Sequence, residues 1–225
     1  MAMVEISELT SVGDEGYARI RGDIIFGRLK PSQRLRLEVL RKDYGLSVTT
    51  LREVLNRLVS ERLVVAEGKR GFEVASISID NLKELADLRL LLECHAIEQS
   101  FARADIEWEG RVVSAHHKLA ATEKLMKSQI GSSEQWKQYD SEFHQALISN
   151  CGSATLMEAH AAAFDRYFRY QMITFKFRDE APIRQHKDLL ECALKRDALK
   201  AKKILKEHVN DCVQHTISHW PSESV

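Results

Sequence analysis

Proline is scarce, with three in 225 residues, and outside one short segment strand-type alternation is equally scarce. The chain therefore reads as mainly α. Cysteine offers no disulfide framework: Cys94, Cys151, Cys192 and Cys212 are scattered without a CxxC pair, a usage that fits a reducing cytoplasm. No uncharged run approaches the roughly 20 residues that span a bilayer. The N-terminus lacks a basic stretch followed by an apolar one, so neither a membrane partner nor an export signal is expected. Internal repeats and low-complexity tracts are missing. So are an HExxH pattern, an adjacent His-Asp pair and a glycine-rich phosphate loop, which removes the common helical metalloenzyme readings at their defining residues. Net charge is missing too, at 33 Lys and Arg against 33 Asp and Glu. That zero hides an asymmetry: residues 17–75 hold 13 basic against 7 acidic residues, and the rest of the chain 20 against 26. Positive potential is thus concentrated in one segment, and nonspecific affinity for a polyanion should be modest and salt-dependent.

What is present in that segment is an ordered set of signals. Leu37, Leu40 and the aliphatic part of Arg41 fall at helical spacing, and Gly45 follows where a left-handed cap is needed. Ser47 then stands as an N-cap before Leu51, Val54, Leu55, Leu58 and Val59, an amphipathic stripe at three- and four-residue spacing. Leu63–Val65 and Phe72–Ala75 are β-type runs flanking a tip that carries Lys69 and Arg70 between glycines. Helix, tight turn, helix and basic hairpin make a winged helix-turn-helix, expected over residues 16–76 after a flexible arm at 1–15. Its second helix would enter the major groove of double-stranded DNA. There Ser47, Thr49 and Thr50 allow close approach, Arg52 within one turn of the helix start is the first choice for base or phosphate contact, and Arg57 adds charge. Lys69 and Arg70 would track the adjacent groove or backbone. The alternative is that these arginines only solvate an outer face.

After Ser76 the pattern is helical only. Asp80 can cap a segment reaching about Arg103, and periodic stretches follow at roughly 106–128, 133–150, 154–176, 181–195 and 198–219. Breaks fall at Gly131, at Gly152 with Ser153, around Arg178–Pro182, and at Arg196 with Asp197. The prediction for 77–225 is an antiparallel helical bundle that binds an effector and dimerises. Within it, Asp140 and His144 are four residues apart, so they rise about 6 Å and rotate about 40° relative to each other, and both can point at one ion. His186 and His208 sit among core-type positions in the stretches at 181–195 and 198–219. Three imidazoles and a carboxylate suit a divalent ion such as zinc, nickel or manganese. Taken singly, an inward histidine is more often a hydrogen-bonded core residue than a ligand.

Two resemblances bear on these readings. Gly45, Leu46, Ser47, Val48, Thr49, Thr50, Leu51, Arg52, Glu53, Val54 and Leu55 resemble the recognition region of the GntR superfamily. The match departs at Val48, where many relatives carry a DNA-contacting arginine, and at Leu37, where many carry a glutamate. The strings YDSEFHQALISNCGSATL and QHKDLLECALKRDALKAKKILKEHV resemble the two signature stretches of the helical FCD domain of the FadR subfamily. That resemblance implies metal ligands at Asp140, His144, His186 and His208, with Gln185 standing where a glutamate is usual and touching the ligands' partners rather than the ligands.

Arg89 lies on a helix that is apolar most of the way round, and a buried arginine needs an anion. That anion is either an internal acid such as Asp87 or Glu93, or the carboxylate of a small effector beside the metal; FCD domains often have an arginine here. Arg166, Arg169 and Tyr170 could line the same cavity or an exposed face. His95 reads as core, His116 and His117 as surface, and Cys212 and His215 as weaker competitors for a metal. The expectation is a non-enzymatic, ligand-responsive transcriptional regulator, a repressor by the commoner mode, sensing a small organic acid. It would bind a palindromic operator as a homodimer, because one helix-turn-helix reads too few base pairs. A helical metal-dependent hydrolase or a metal-stapled scaffold is the rival; neither accounts for the wing.

Overall fold

A computed structural model describes residues 11–174, 176, 177 and 180–220, the Lys69 side chain excepted. The chain forms two compact units, one ending at Ile77 and the other starting at Ser78.

In the first unit, helix α1 (Val12–Ile25) starts where the Ser11 hydroxyl accepts a hydrogen bond from the Asp14 amide at 3.1 Å. The arm expected over 1–15 is corrected accordingly: Val12 to Glu15 are already helical, because Ser11 is a competent cap, while residues 1–10 lie outside the described residues. The sequence reading left α1 out, although Ile20 and Ile24 stand four residues apart on its buried face beside Gly16. That glycine permits a close approach: a Cβ there would stand 2.4 Å from Leu46 Cδ1. Strand β1 (Arg34–Leu35), α2 (Leu37–Tyr44), α3 (Val48–Ser60), β2 (Val64–Ala66) and β3 (Phe72–Val74) complete the unit. The antiparallel sheet has the order β1-β3-β2, with Leu35 opposite Phe72 and Val64 opposite Val74. β1 escaped the sequence reading because two residues are too few to show alternation. Gly45 ends α2 at φ 70°, where a Cβ would be strained. Ile20, Ile24, Leu51, Leu55, Leu58 and Val74 are fully buried and form the core.

The second unit consists of α4 (Ile79–Ala102), α5 (Ile106–Lys127), α6 (Ser133–Ile148), α7 (Ala154–Ile173), α8 (Glu180–Lys195) and α9 (Ala198–Ser218). α4 is capped by Ser78, whose hydroxyl accepts from the Asn81 amide, and not by Asp80, which lies in its first turn. Pro182 falls inside the first turn of α8 and not in a break; an amide there has no helical partner to lose. Arg178 and Asp179 of the expected break lie outside the described residues. α4 packs against α6, α7 and α9, and α5 against α6 and α8. Because α4 is enclosed on several sides, charged residues on it can end up in the interior, and Arg89 and Glu93 do, each 1 % exposed. Among the described residues no helix is long and apolar enough to cross a membrane.

Candidate metal centre and nucleic-acid interface

Three helices of the second unit bring the four ligand-type residues together. Asp140 and His144 come from α6, His186 from α8 and His208 from α9; all four are buried, and one donor atom from each lies within 4.8 Å of the others. The rings form a tight triangle, with centroids 4.9 Å apart for His186 and His208, 5.2 Å for His144 and His208, and 5.7 Å for His144 and His186. Asp140 Oδ1 faces two of them, 3.3 Å from His186 Nε2 and 4.0 Å from His144 Nε2. Neither Nε2 has a hydrogen-bond partner, nor does His144 Nδ1. Bare imidazole nitrogens in a sealed interior are costly unless something meets them.

The outer nitrogens of the rings face acceptors. Glu123 on α5 accepts from His186 Nδ1 at 2.8 Å. Gln185 Oε1 stands 3.0 Å from His208 Nδ1, and the Gln185 amide donates in turn to Asp211 at 2.9 Å. Asp211 accepts only, so the glutamine must turn its NH2 toward Asp211 and its oxygen toward the ring. The glutamine thus supplies the acceptor that a glutamate would, with the negative charge one step farther out. Glu93 on α4 approaches His144 Nδ1 to 3.6 Å. Partners of this kind leave Nε2 of His186 and His208 as the lone-pair nitrogen facing inward.

Electrostatics point the same way for two of the rings. Burial, with help from the Arg89 charge, pulls His144 down to about 4. Burial and the neighbouring His186 and His144 keep His208 well below the usual histidine range. Both are therefore neutral at pH 7, the form that binds metal. His186 is raised instead, because the Asp140 and Glu123 carboxylates outweigh the effect of burial. Burial would also raise Asp140, but Lys137 and the imidazoles hold it well below the carboxylate range. The donor set, the unpartnered nitrogens and the ligand tautomers together fit a divalent ion of borderline softness.

Several expected residues fall elsewhere. Arg89 pairs with Glu93 at 2.5 Å and lies over the rings of Phe164 and Tyr167; it is not among the residues lining the cavity of about 40 Å³ that adjoins the cluster. Arg166, Arg169 and Tyr170 do not line it either, and Tyr170 donates to Asn81 at 2.9 Å. His95 is exposed and not core, since it sits on the outer side of α4. His116 is half-buried against the Phe143 ring, 5.3 Å between centroids. Cys212 and His215 do reach the cavity, with Cys212 Sγ 4.0 Å from His208 Nε2 and His215 Nε2 near the Lys176 carbonyl. Lys137, His160 and Glu123 were missed. Of these only Lys137 had a readable signal, as an opposite charge three residues before Asp140.

In the first unit Ser47 caps α3, accepting from the Thr50 amide at 3.1 Å. Thr49 and Arg52 are exposed on the first turns, and among the described residues Arg52 has no hydrogen-bond or ion-pair partner. Thr50 is half-buried, with its hydroxyl 2.9 Å from that of Ser47. Its methyl faces Gly13 of α1, 3.6 Å from where a Cβ of that residue would be. Arg57 was expected to add charge toward the duplex. It turns instead to α1, 3.6 Å over the Tyr17 ring and 3.3 Å from Asp14, because the third turn of α3 lies beside that helix. Asn56, one turn beyond Arg52, is exposed and was not singled out. At the wing, the Arg70 carbonyl accepts from Arg34 at 3.2 Å while the Arg70 side chain is exposed. The Lys69 side chain lies outside the described residues.

Comparison with known proteins agrees with both halves. The profile of bacterial regulatory proteins of the gntR family matches residues 14–74, and that of the FCD domain matches residues 84–211. The chain is 36 % identical over 215 residues to the uncharacterized HTH-type transcriptional regulator BphR of Paraburkholderia xenovorans, covering 93 % of this chain and 87 % of that one. It is 31 % identical to the HTH-type transcriptional repressor GlaR of Escherichia coli, covering 89 % and 94 %. The solved structure of E. coli McbR/YncC shares the fold with a TM-score of 0.79 at 20 % identity, over 95 % of this chain and 100 % of that one. These families and relatives are regulators of transcription and not enzymes. The chain therefore belongs to the GntR family of DNA-binding transcriptional regulators and carries an FCD domain as its helical unit.

Proposed function

We propose that this regulator is a metal-dependent, metabolite-responsive repressor of the FadR subfamily. Asp140, His144, His186 and His208 would hold the ion, zinc first, with nickel or manganese as alternatives. The carrying observation is the convergence of these four buried residues with the inward nitrogens of His144 and His186 left unpartnered. A bound divalent ion supplies concentrated positive charge to a carboxylate entering the adjacent cavity. Repression is favoured by the name of the E. coli relative GlaR. A homodimer on a palindrome follows from the few base pairs that one recognition helix can read. Thr49 and Arg52 present the reading surface, Ser47 and Thr50 form its capped start, and Arg70 with Lys69 meets the neighbouring backbone. Arg57 contributes mainly by tying α3 to α1. Arg89 acts through Glu93, whose carboxylate it holds beside His144 and His160.

The effector must differ in affinity between DNA-competent and DNA-incompetent states, or it shifts nothing. Genomic footprinting with the purified, zinc-loaded protein tests the whole reading: discrete palindromic sites are expected, weakened by a carboxylate drawn from the pathway of the neighbouring genes. No preference for any site over random duplex, across ionic strengths and candidate acids, would sink it.

The partner of His186 provides a narrower check. Glu123→Gln removes a charge-assisted hydrogen bond and keeps the shape, and zinc affinity is expected to fall about 10–100-fold. Competition against a fluorescent chelator measures it; an unchanged affinity removes Glu123 from the centre.

A further inference from the structure

Two lysines line the cavity beside the proposed metal centre; Lys176 is exposed, and the other is buried and still without a role. Lys137 lies one turn before Asp140 on α6, with its side chain only 4 % exposed; its Nζ stands 2.7 Å from Asp140 Oδ2, the oxygen other than the one facing the imidazoles, and both residues line the cavity. An ammonium has three N–H bonds to place. Asp140 accepts one, and among the described residues no other hydrogen-bond acceptor reaches the group. It also lies over the Trp136 and Phe168 rings, 5.3 and 5.2 Å from their centroids, which hold a cation by their faces. Two donor directions therefore remain for whatever occupies the cavity.

Three polar groups on the same cavity have the opposite character. Thr174 donates its hydroxyl hydrogen to the Tyr170 carbonyl at 3.1 Å, and Thr216 donates to the Cys212 carbonyl at 2.9 Å. Each hydroxyl thus turns only lone pairs to anything else. Gln171 donates through Nε2 to the Tyr167 hydroxyl at 3.2 Å, and its buried Oε1 has no partner. A ligand that fits has an anionic group for the cation and an O–H donor for these acceptors.

Resting on the metal-centred acid-sensing reading above, we propose that Lys137 is the anion-recognising cation of this cavity and that Thr174, Thr216 and Gln171 restrict its ligands to small hydroxycarboxylates. A plain carboxylate leaves the acceptors unmatched, which is how a polar site rejects an analogue lacking the donor. An α-amino acid brings donors but sets an ammonium near Lys137, a like-charge contact. The cavity of about 40 Å³ has room for a few water-sized groups, so acids of two or three carbons fit before any opening.

Calorimetric titration of the zinc-loaded full chain with acetate, glycolate, propionate, lactate and glycine tests this. Glycolate is expected to bind about five- to tenfold more tightly than acetate, and lactate more tightly than propionate by a similar factor, with glycine weaker than glycolate. Lys137→Met should lose glycolate binding at least about tenfold with zinc stoichiometry retained. Because that change also strips Asp140 of its partner and endangers folding, the Thr174→Val/Thr216→Val pair provides the second arm, expected to keep acetate affinity and erase the preference for glycolate. Chelation of zinc by the ligand hydroxyl alone would preserve the preference in the valine variant, and that result overturns the proposal. So does equal binding of acetate and glycolate by the unaltered protein. If no carboxylate binds at all, the acid-sensing reading falls with it; if carboxylates bind without discrimination, only the present proposal does.

Discussion

Replacing His208 with alanine is expected to abolish stabilisation by zinc. For the unaltered protein, free zinc at roughly 100 times its Kd adds about 2.7 kcal/mol, which for a unit of this size raises Tm by about 5–10 °C. The alanine variant should show no such rise, and its zinc affinity should fall by more than the roughly 100-fold upper end seen for outer partners, because a donor atom itself is lost. His208 is the better choice over Asp140. Removing the aspartate would leave Lys137 buried and unpaired, a loss of about 3–5 kcal/mol on its own that would confound the reading. The cavity left by the missing imidazole lowers Tm in chelator and in zinc alike, so the informative quantity is the difference between the two melts. Wild-type zinc-induced stabilisation in the variant would remove His208 from the ligand set.

Arg52→Ala is expected to weaken operator binding by about 1–3 kcal/mol for each reader, and by about twice that on a palindrome. Arg52 is exposed on the second turn of α3 with no described partner, so its loss should leave the fold and zinc content unchanged. Fluorescence anisotropy against salt concentration separates the roles it could play. A lost base contact leaves the salt slope unchanged, whereas a lost phosphate contact reduces it by about one per reader. Arg57→Ala is the contrast: its guanidinium already lies over Tyr17, and losing that contact costs about 0.5–1 kcal/mol of stability with no change in the salt slope. Should Arg57→Ala impair binding and Arg52→Ala not, the assignment of the recognition surface is wrong.

The helices of the second unit were readable to within a few residues at most ends, from α4 at Ile79–Ala102 to α9 at Ala198–Ser218. So was the turn at Gly45, since a left-handed residue after an apolar stripe is a local demand. α1 gave only a short signal, Ile20 and Ile24 four residues apart, because the next position on its buried face is a glycine against Leu46, and a glycine carries no hydrophobic signal. The cluster at Asp140, His144, His186 and His208 was visible in part from one i,i+4 pair and otherwise through family resemblance. Its supports were hidden: Glu123 meets His186 across 63 residues of chain, and Glu93 meets His160 across 67.

Sequence alone determined the elements other than α1 and β1, the capped start of α3, the basic bias of the first segment and the chemical type of the four cluster residues. These follow from period, turn chemistry and charge, which act over a few neighbouring residues. Only the tertiary structure decided that Arg57 faces Tyr17, that Arg89 is neutralised by Glu93, and that Lys137 lines the cavity beside Asp140. Each of these depends on which helix faces overlap once the core is packed, and a side chain buried in such a core must take whatever oppositely polarised group the packing brings within reach.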